Sequence, residues 1–314
     1  MGDPKDAPGF ADRLLSAIAA KGSPCMVGLD PDLSKMPPGF LEEKGWSGEL
    51  TRETCTRAAE VVGDYCALVL DQVHDLVPAV KPQSAYFERF GSAGVAALER
   101  TIARARELDL QVVLDVKRGD IGSTSTAYSH AYLLDPDASP LASDAMTVAP
   151  YLGEDAMTPF FETALANGTG IFTLVRTSNP GAGDLQDQKL DDGRVLYEAV
   201  ADLLQPWMEK SRGEHGYSSL GVVIGATWPE QGRSLRKRLP HAIILVPGFG
   251  AQGGSAEGVR ACFDEEGRGA IVNSSRAVLY PHLYGAEEGG EPAALVREAA
   301  ERFVGEVRTA VRTD

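Results

Sequence analysis

Eight short apolar runs recur along the chain: CMVGLD (25–30), VPAVK (77–81), LQVVLDVK (110–117), DAMTVAP (144–150), GIFTLV (170–175), LGVVIGAT (220–227), AIILVPG (242–248) and GAIVNSS (269–275). Each is nearly continuous in apolar residues rather than alternating, as strands buried on both faces of a parallel sheet require. The segments between them are long enough for helices. In TRETCTRAAEVVGDYCALVLDQVHDL, residues Ala58, Val61, Val62, Tyr65, Leu68 and Val69 recur at helical spacing and share one broad face. A closing helix is predicted from Pro292 to about Val311. The stretches 31–50, 135–143 and 179–193, rich in Pro, Gly, Asp and Ser, read as long loops or insertions.

Strands alternating with helices either close into a barrel or remain an open doubly wound sheet. The polar positions favour the barrel. Strand after strand ends in a reactive side chain: Asp30, Lys81, Asp115 with Lys117, Ser178, Gln252 and Arg276. A barrel brings the C-terminal ends of its strands to one mouth, where such side chains converge. The expected architecture is therefore an α/β, TIM-like (β/α)8 barrel in a single domain over 1–314, with an N-terminal helix and the three insertions named above. A barrel of about 250 residues plus insertions accounts for the length.

Composition narrows the function. Thirty Lys and Arg against 45 Asp and Glu give a net charge of −15, which argues against a nucleic-acid or membrane partner but leaves room for a local pocket for a small anion. Hydrophobic residues, at 43%, suffice for a large core. The N-terminus is polar, carries two prolines and does not read as a signal peptide, and no apolar run approaches membrane-spanning length, so a cytoplasmic location is expected. Cys25, Cys55, Cys66 and Cys262 form no C-x-x-C pair and read as reduced, packed thiols. The histidines show no metal-ligand spacing, and His130 is expected to pack within a helix. Neither a G-x-S-x-G elbow nor a Walker A motif is present.

Two segments carry the chemistry. In DVKRGDIG (115–122), Asp115 and Lys117 are two residues apart and face the same side of a strand, with Asp120 just beyond. A lysine bracketed by two carboxylates stays charged and serves as a held proton donor. A D-x-K pair alone is commonly a solvated cluster in a turn; this one ends a buried strand. The second segment, PGFGAQGG (247–254), matches G-x-G-x-x-G between a strand and a helix. It follows the seventh run, however, and the next run ends in Asn273 and Ser274 rather than in an acid for a ribose, which weighs against a dinucleotide site. A glycine-rich turn after strand seven, followed by NSSR after strand eight, instead fits a barrel phosphate site, with Arg276 able to grip two phosphate oxygens. Asp30, Lys81 and Ser178 are weaker taken singly, since each is equally at home terminating a strand or forming a turn.

At these residues a family resemblance becomes specific. VGLDP, VKPQSAYFERFG, LDVKRGDIGST, TVAPYLG, LVRTSNPGA, VPGFGAQGG and VNSSRAVLY, in order from about Met26 to about Tyr280, resemble the orotidine 5′-phosphate decarboxylases, in their longer bacterial subfamily. The resemblance implies a TIM-like barrel working as a homodimer, with orotidine 5′-phosphate as substrate, uridylate as product in pyrimidine biosynthesis, and neither metal nor organic cofactor. It further implies that Lys117 protonates C6 of the pyrimidine, and that Asp115 and Lys81 complete a charged network with Asp120 of the partner subunit. Asp30 and Lys81 would hold the ribose hydroxyls together with Thr124 of the partner subunit. Ser178 would contact the pyrimidine, and Gln252 and Arg276, with Gly253 and Gly254, the phosphate. Two other readings compete. One is a magnesium-dependent sugar-phosphate enzyme on the same D-x-K-x-x-D frame. The other is a catalytically dead barrel that senses nucleotide.

Overall fold

Each of the eight apolar runs forms a strand in the computed structural model, which describes residues 8–249, 254–285 and 290–312. The strands are β1 (Cys25–Leu29), β2 (Ala79–Pro82), β3 (Gln111–Arg118), β4 (Ala145–Val148), β5 (Gly170–Arg176), β6 (Ser218–Ile224), β7 (Ala242–Val246) and β8 (Ala270–Ser274). All neighbouring pairs run parallel, in sequence order, and β8 pairs with β1 through Cys25–Val272 and Met26–Asn273, closing the barrel.

A helix follows every strand: α2 (Cys55–Val73), α3 (Gly91–Glu107), α4 (Gly122–Leu133), α5 (Glu154–Asn167), α6 (Leu196–Lys210), α7 (Pro229–Arg238), the short α8 (Ala256–Arg260) and α9 (Pro292–Val311); α1 (Phe10–Lys21) precedes the first strand. The face predicted for α2 is the buried one, with Leu68 at its margin and Cys66, Leu70 and Val73 extending it. Segments 31–50 and 179–193 are not wholly irregular. Pro38 and Pro180 each start a short helical turn, where a fixed φ is already suited to a first helical position. His130, expected to pack, is instead exposed on α4. The four cysteines are unpaired, and no described helix is long and apolar enough to cross a membrane.

The pleat sorts the strand residues into two cores. Val27, Leu29, Val80, Val112 and Leu114 point outward against the helices. Met26, Ala79, Val113, Ala145, Phe172, Ile243 and Ile271 point inward and fill the barrel, and Phe10 and Leu14 of α1 pack with them. The ring of Phe10 meets Phe172 edge-on at 5.8 Å. Two residues further along the same inward rows, the side chains turn polar: Lys81 above Ala79, Asp115 above Val113, Thr147 above Ala145 and Asn273 above Ile271. The period of two that builds the core thus also builds the mouth.

Candidate active site

The mouth holds a cavity of about 600 Å³ lined by Asp30, Lys81, Asp115, Lys117, Ser178 and Arg276 together with Gln83, Thr147 and Asn273. At its centre is Asp115, buried at 6% exposure. Its Oδ2 accepts from Lys81 Nζ at 2.6 Å and from Gln83 Nε2 at 3.0 Å. Its Oδ1 accepts from Lys117 Nζ at 2.5 Å and from the Thr147 hydroxyl at 2.9 Å. Within the chain, then, a carboxylate is bracketed by two lysines, where the sequence suggested a lysine bracketed by two carboxylates. Burial by itself would raise the Asp115 carboxyl, but the adjacent Lys81 and Lys117 ammonium groups outweigh it and hold Asp115 well below the usual carboxylate range. Burial likewise works against the charge on Lys81, and the carboxylates of Asp115 and Asp30 overcome it and push that ammonium group upward.

The contact between Asp115 and Lys117 does not come from regular strand geometry. The β3–β4 register shifts between Leu114 and Arg118, and Lys117 has φ +45°. Thr147 secures this departure, since its Oγ1 accepts the amides of Val116 at 3.1 Å and Lys117 at 2.9 Å. Arg118 turns outward to Glu88 at 2.7 Å.

Asp30 and Asn273 project inward from the ends of neighbouring strands, and each presents a buried Oδ1 that has no hydrogen-bond partner among the described residues. Gly28 makes room there, because a Cβ on it would lie 1.9 Å from Ser275 Oγ. Tyr280, 1% exposed, donates to the Asp30 carbonyl at 2.6 Å and so holds the turn that carries Asp30. Ser178 lies against Gly225, where a Cβ would come within 2.7 Å of the serine Cβ. Arg276 reaches the cavity from the first turn of a short helix, Arg276–Leu279, after β8. The Gly254 amide closes the turn after β7 on the Gly248 carbonyl at 3.0 Å. Gln252 and Gly253 lie outside the described residues.

Asp120 and Thr124 are not brought into this cavity. Asp120 accepts the Ile121 amide at 2.8 Å, and Thr124 is exposed on the first turn of α4. Among the described lining residues, three cations (Lys81, Lys117, Arg276) face two carboxylates (Asp30, Asp115). An acidic chain therefore presents a mouth with a local excess of positive charge, suited to a small polyanion. Gln83, Thr147 and Asn273 went unrecognised in the sequence, although each stands two residues beyond an inward-facing neighbour.

The model of the family described as orotidine 5′-phosphate decarboxylase / HUMPS matches residues 26–281. An orotidine 5′-phosphate decarboxylase of Rhodopirellula baltica is 47% identical over 275 residues, covering 87% of this chain and 89% of the relative. One from Roseiflexus castenholzii is 40% identical over 305 residues, covering 96% and 98%. The solved structure of Leishmania donovani OMP decarboxylase is similar with a TM-score of 0.74 at 29% identity, covering 98% of this chain and 100% of that one.

Proposed function

The chain belongs to the orotidine 5′-phosphate decarboxylase / HUMPS family, and on that premise we propose that it is a carboxy-lyase converting orotidine 5′-phosphate to uridylate and carbon dioxide, in pyrimidine biosynthesis. The observation that carries this reading is the Lys81–Asp115–Lys117 chain standing in one cavity with Arg276.

In this reading the C6–carboxylate bond breaks, carbon dioxide leaves, and the electron pair stays on C6, where no ring carbonyl delocalises it well. The ammonium group of Lys117 stabilises that charge and then delivers its proton to C6, and the resulting amine takes a proton back from water. Two ion-pair contacts to Asp115 leave Lys81 and Lys117 pre-positioned, so little reorganisation accompanies the charge as it develops. Asp30 and Lys81 serve the ribose hydroxyls, the buried unpartnered Oδ1 of Asp30 being suited to accept from one. Ser178 contacts the base. Arg276, with Gln252, Gly253 and Gly254, takes the phosphate, whose remote binding energy helps organise the charged network.

A second copy of the chain completes the site with Asp120 and Thr124 of the partner subunit. Support comes from the surface beside them. Ile121, Tyr151 and Leu152 are exposed at 60%, 77% and 48% on the loops leaving β3 and β4, which are tied together by the Ala149 amide and the Arg118 carbonyl at 2.8 Å. Apolar side chains grouped this way on a surface are characteristic of interfaces.

The test is the ultraviolet absorbance of orotidylate with purified protein and excess chelator. Loss of the orotate band with formation of uridylate is expected. An unchanged spectrum, with turnover of a sugar phosphate once magnesium is supplied, would assign the chain to the other chemistry of this frame; binding of uridylate without any turnover would make it a sensor.

A further inference from the structure

Arg176, the last residue of β5, is a fully buried cation that the proposed chemistry does not use. It lies under the segment 177–187, of which Thr177, Gly181, Ala182, Leu185 and Gln186 line the cavity. Its guanidinium lies over the Trp228 ring, 4.2 Å from the centroid. Nη1 donates to Gln186 Oε1 at 3.2 Å and Nη2 to Asp187 Oδ2 at 3.0 Å. Gln186 in turn accepts the Thr177 amide and donates to the Thr177 hydroxyl, both at 2.9 Å. Trp228 Nε1 donates to the Thr177 carbonyl at 3.0 Å. The two ends of the segment are thus zipped together, with Ser178 inside the closed loop.

Taking a guanidinium out of water with only a 42%-exposed carboxylate as its counter-ion is unfavourable. What offsets this is geometry: a planar fork that stacks on an indole and holds two acceptors side by side, which lysine cannot reproduce. None of these contacts involves Arg276, after β8, or Gly248, after β7.

We propose that Arg176, with Gln186, Asp187 and Trp228, is a positioning clamp for the base-binding end of the site, holding Ser178 and the cavity-facing strap 181–186 in place before substrate arrives. The inference rests on the reading of Ser178 as the pyrimidine contact. Its consequence is a selective loss: loosening the clamp weakens recognition of the nucleotide's base and leaves recognition of its phosphate intact.

Steady-state decarboxylation of orotidylate, with competitive inhibition by uridylate and by inorganic phosphate, is to be measured for Asp187→Asn, Gln186→Ala, Arg176→Lys and Arg176→Met. Loss of one charge-assisted hydrogen bond predicts that KM and the uridylate inhibition constant rise roughly tenfold or more, with a fall in kcat. The phosphate inhibition constant should stay within about twofold of wild type, the margin of an energetically neutral change. Arg176→Lys, which keeps the charge but not the fork, should fall between Arg176→Met and wild type. Should the Arg176 variants fail to fold, the half-exposed Asp187→Asn and Gln186→Ala variants carry the test. Wild-type KM and uridylate constants in those two variants, or phosphate weakened in parallel with uridylate, would overturn the clamp alone. A wild-type protein that neither decarboxylates orotidylate nor binds uridylate would overturn the functional reading, and the clamp with it.

Discussion

Lys117 places its Nζ 2.5 Å from Asp115 Oδ1 while its own backbone stands at φ +45°. A residue with a Cβ enters that conformation at an expense of about 1–2 kcal/mol. The hydroxyl of Thr147, 2% exposed, offsets it by accepting the amides of Val116 and Lys117 and donating to Asp115. The bent end of β3 therefore belongs to the charged network rather than being an irregular strand end.

Thr147→Val, close to isosteric, should strand the buried Val116 amide and the part-buried Lys117 amide. The expected effects are a loss of about 1–3 kcal/mol of stability and a fall in kcat of roughly ten- to a hundredfold, since Lys117 no longer has a fixed origin. Chemical denaturation and steady-state kinetics check this together. Wild-type kcat in a destabilised variant would disconnect Thr147 from the placement of Lys117.

Asp115 also predicts a pH dependence. Despite burial, Lys81 and Lys117 hold its carboxyl below the usual range, so the unfolded chain binds a proton more readily than the native one. Its contribution to stability is full above the unfolded carboxylate value of about 3.9 and drains away as pH falls below it. Lys81, pushed upward against burial by Asp115 and Asp30, contributes below its unfolded value of about 10.4, and that contribution fades as pH rises through its native one. Asp115→Asn should thus lose about 3–5 kcal/mol near neutrality, as expected for breaking a buried pair. The gap to wild type should narrow progressively as pH falls below about 4. Unfolding curves across that range decide it; a gap constant with pH would show that Asp115 is not held in its charged form.

Sharing of the site between subunits is open to complementation. Lys117→Ala and Asp120→Ala chains, each inactive alone, should recover activity when mixed, because a hybrid dimer contains one site with both residues intact. Random pairing of equal amounts makes about half the dimers hybrid, each with one of two sites intact, so about a quarter of wild-type activity is expected. Labelled chains that exchange without any recovery would place Asp120 outside the partner's site.

Gly225 sets how close Ser178 can sit. Gly225→Ala would bring a Cβ within 2.7 Å of the Ser178 Cβ, so the serine must move. Overpacking of this kind destabilises by about 1–3 kcal/mol, and KM for orotidylate should rise roughly tenfold if Ser178 contacts the base. An unaltered KM beside a lowered thermal midpoint would remove Ser178 from the recognition of substrate.

Much of this was legible in the chain. Near-continuous apolar runs are what strands in a buried parallel barrel require, and each of the eight became a strand. Asp30, Lys81, Asp115, Lys117, Ser178 and Arg276 stand at one mouth, as their places at strand ends predict. No role was assigned to Gln83, Thr147 or Asn273 from the sequence, because a single amide or hydroxyl at a strand end does not declare its chemistry; the inward parity of their strands is what marks them. Tyr280, just after a short helix, and Arg176, at the end of β5, reach residues that sequence spacing does not connect to them.

What the sequence determined by itself is local: periods of two and 3.6 follow from backbone geometry, and the types of residue at strand ends follow from reading those periods to their last position. What only the tertiary structure decided is which charge meets which. Lys81 reaches Asp115, thirty-four positions away, because β2 and β3 pair with Ala79 opposite Gln111. A carboxylate's charge state depends on distance through space and on exclusion of water, neither of which is ordered along the chain. For that reason the same Asp-x-Lys pair that suggested a lysine between two acids became, in the folded chain, an acid between two lysines.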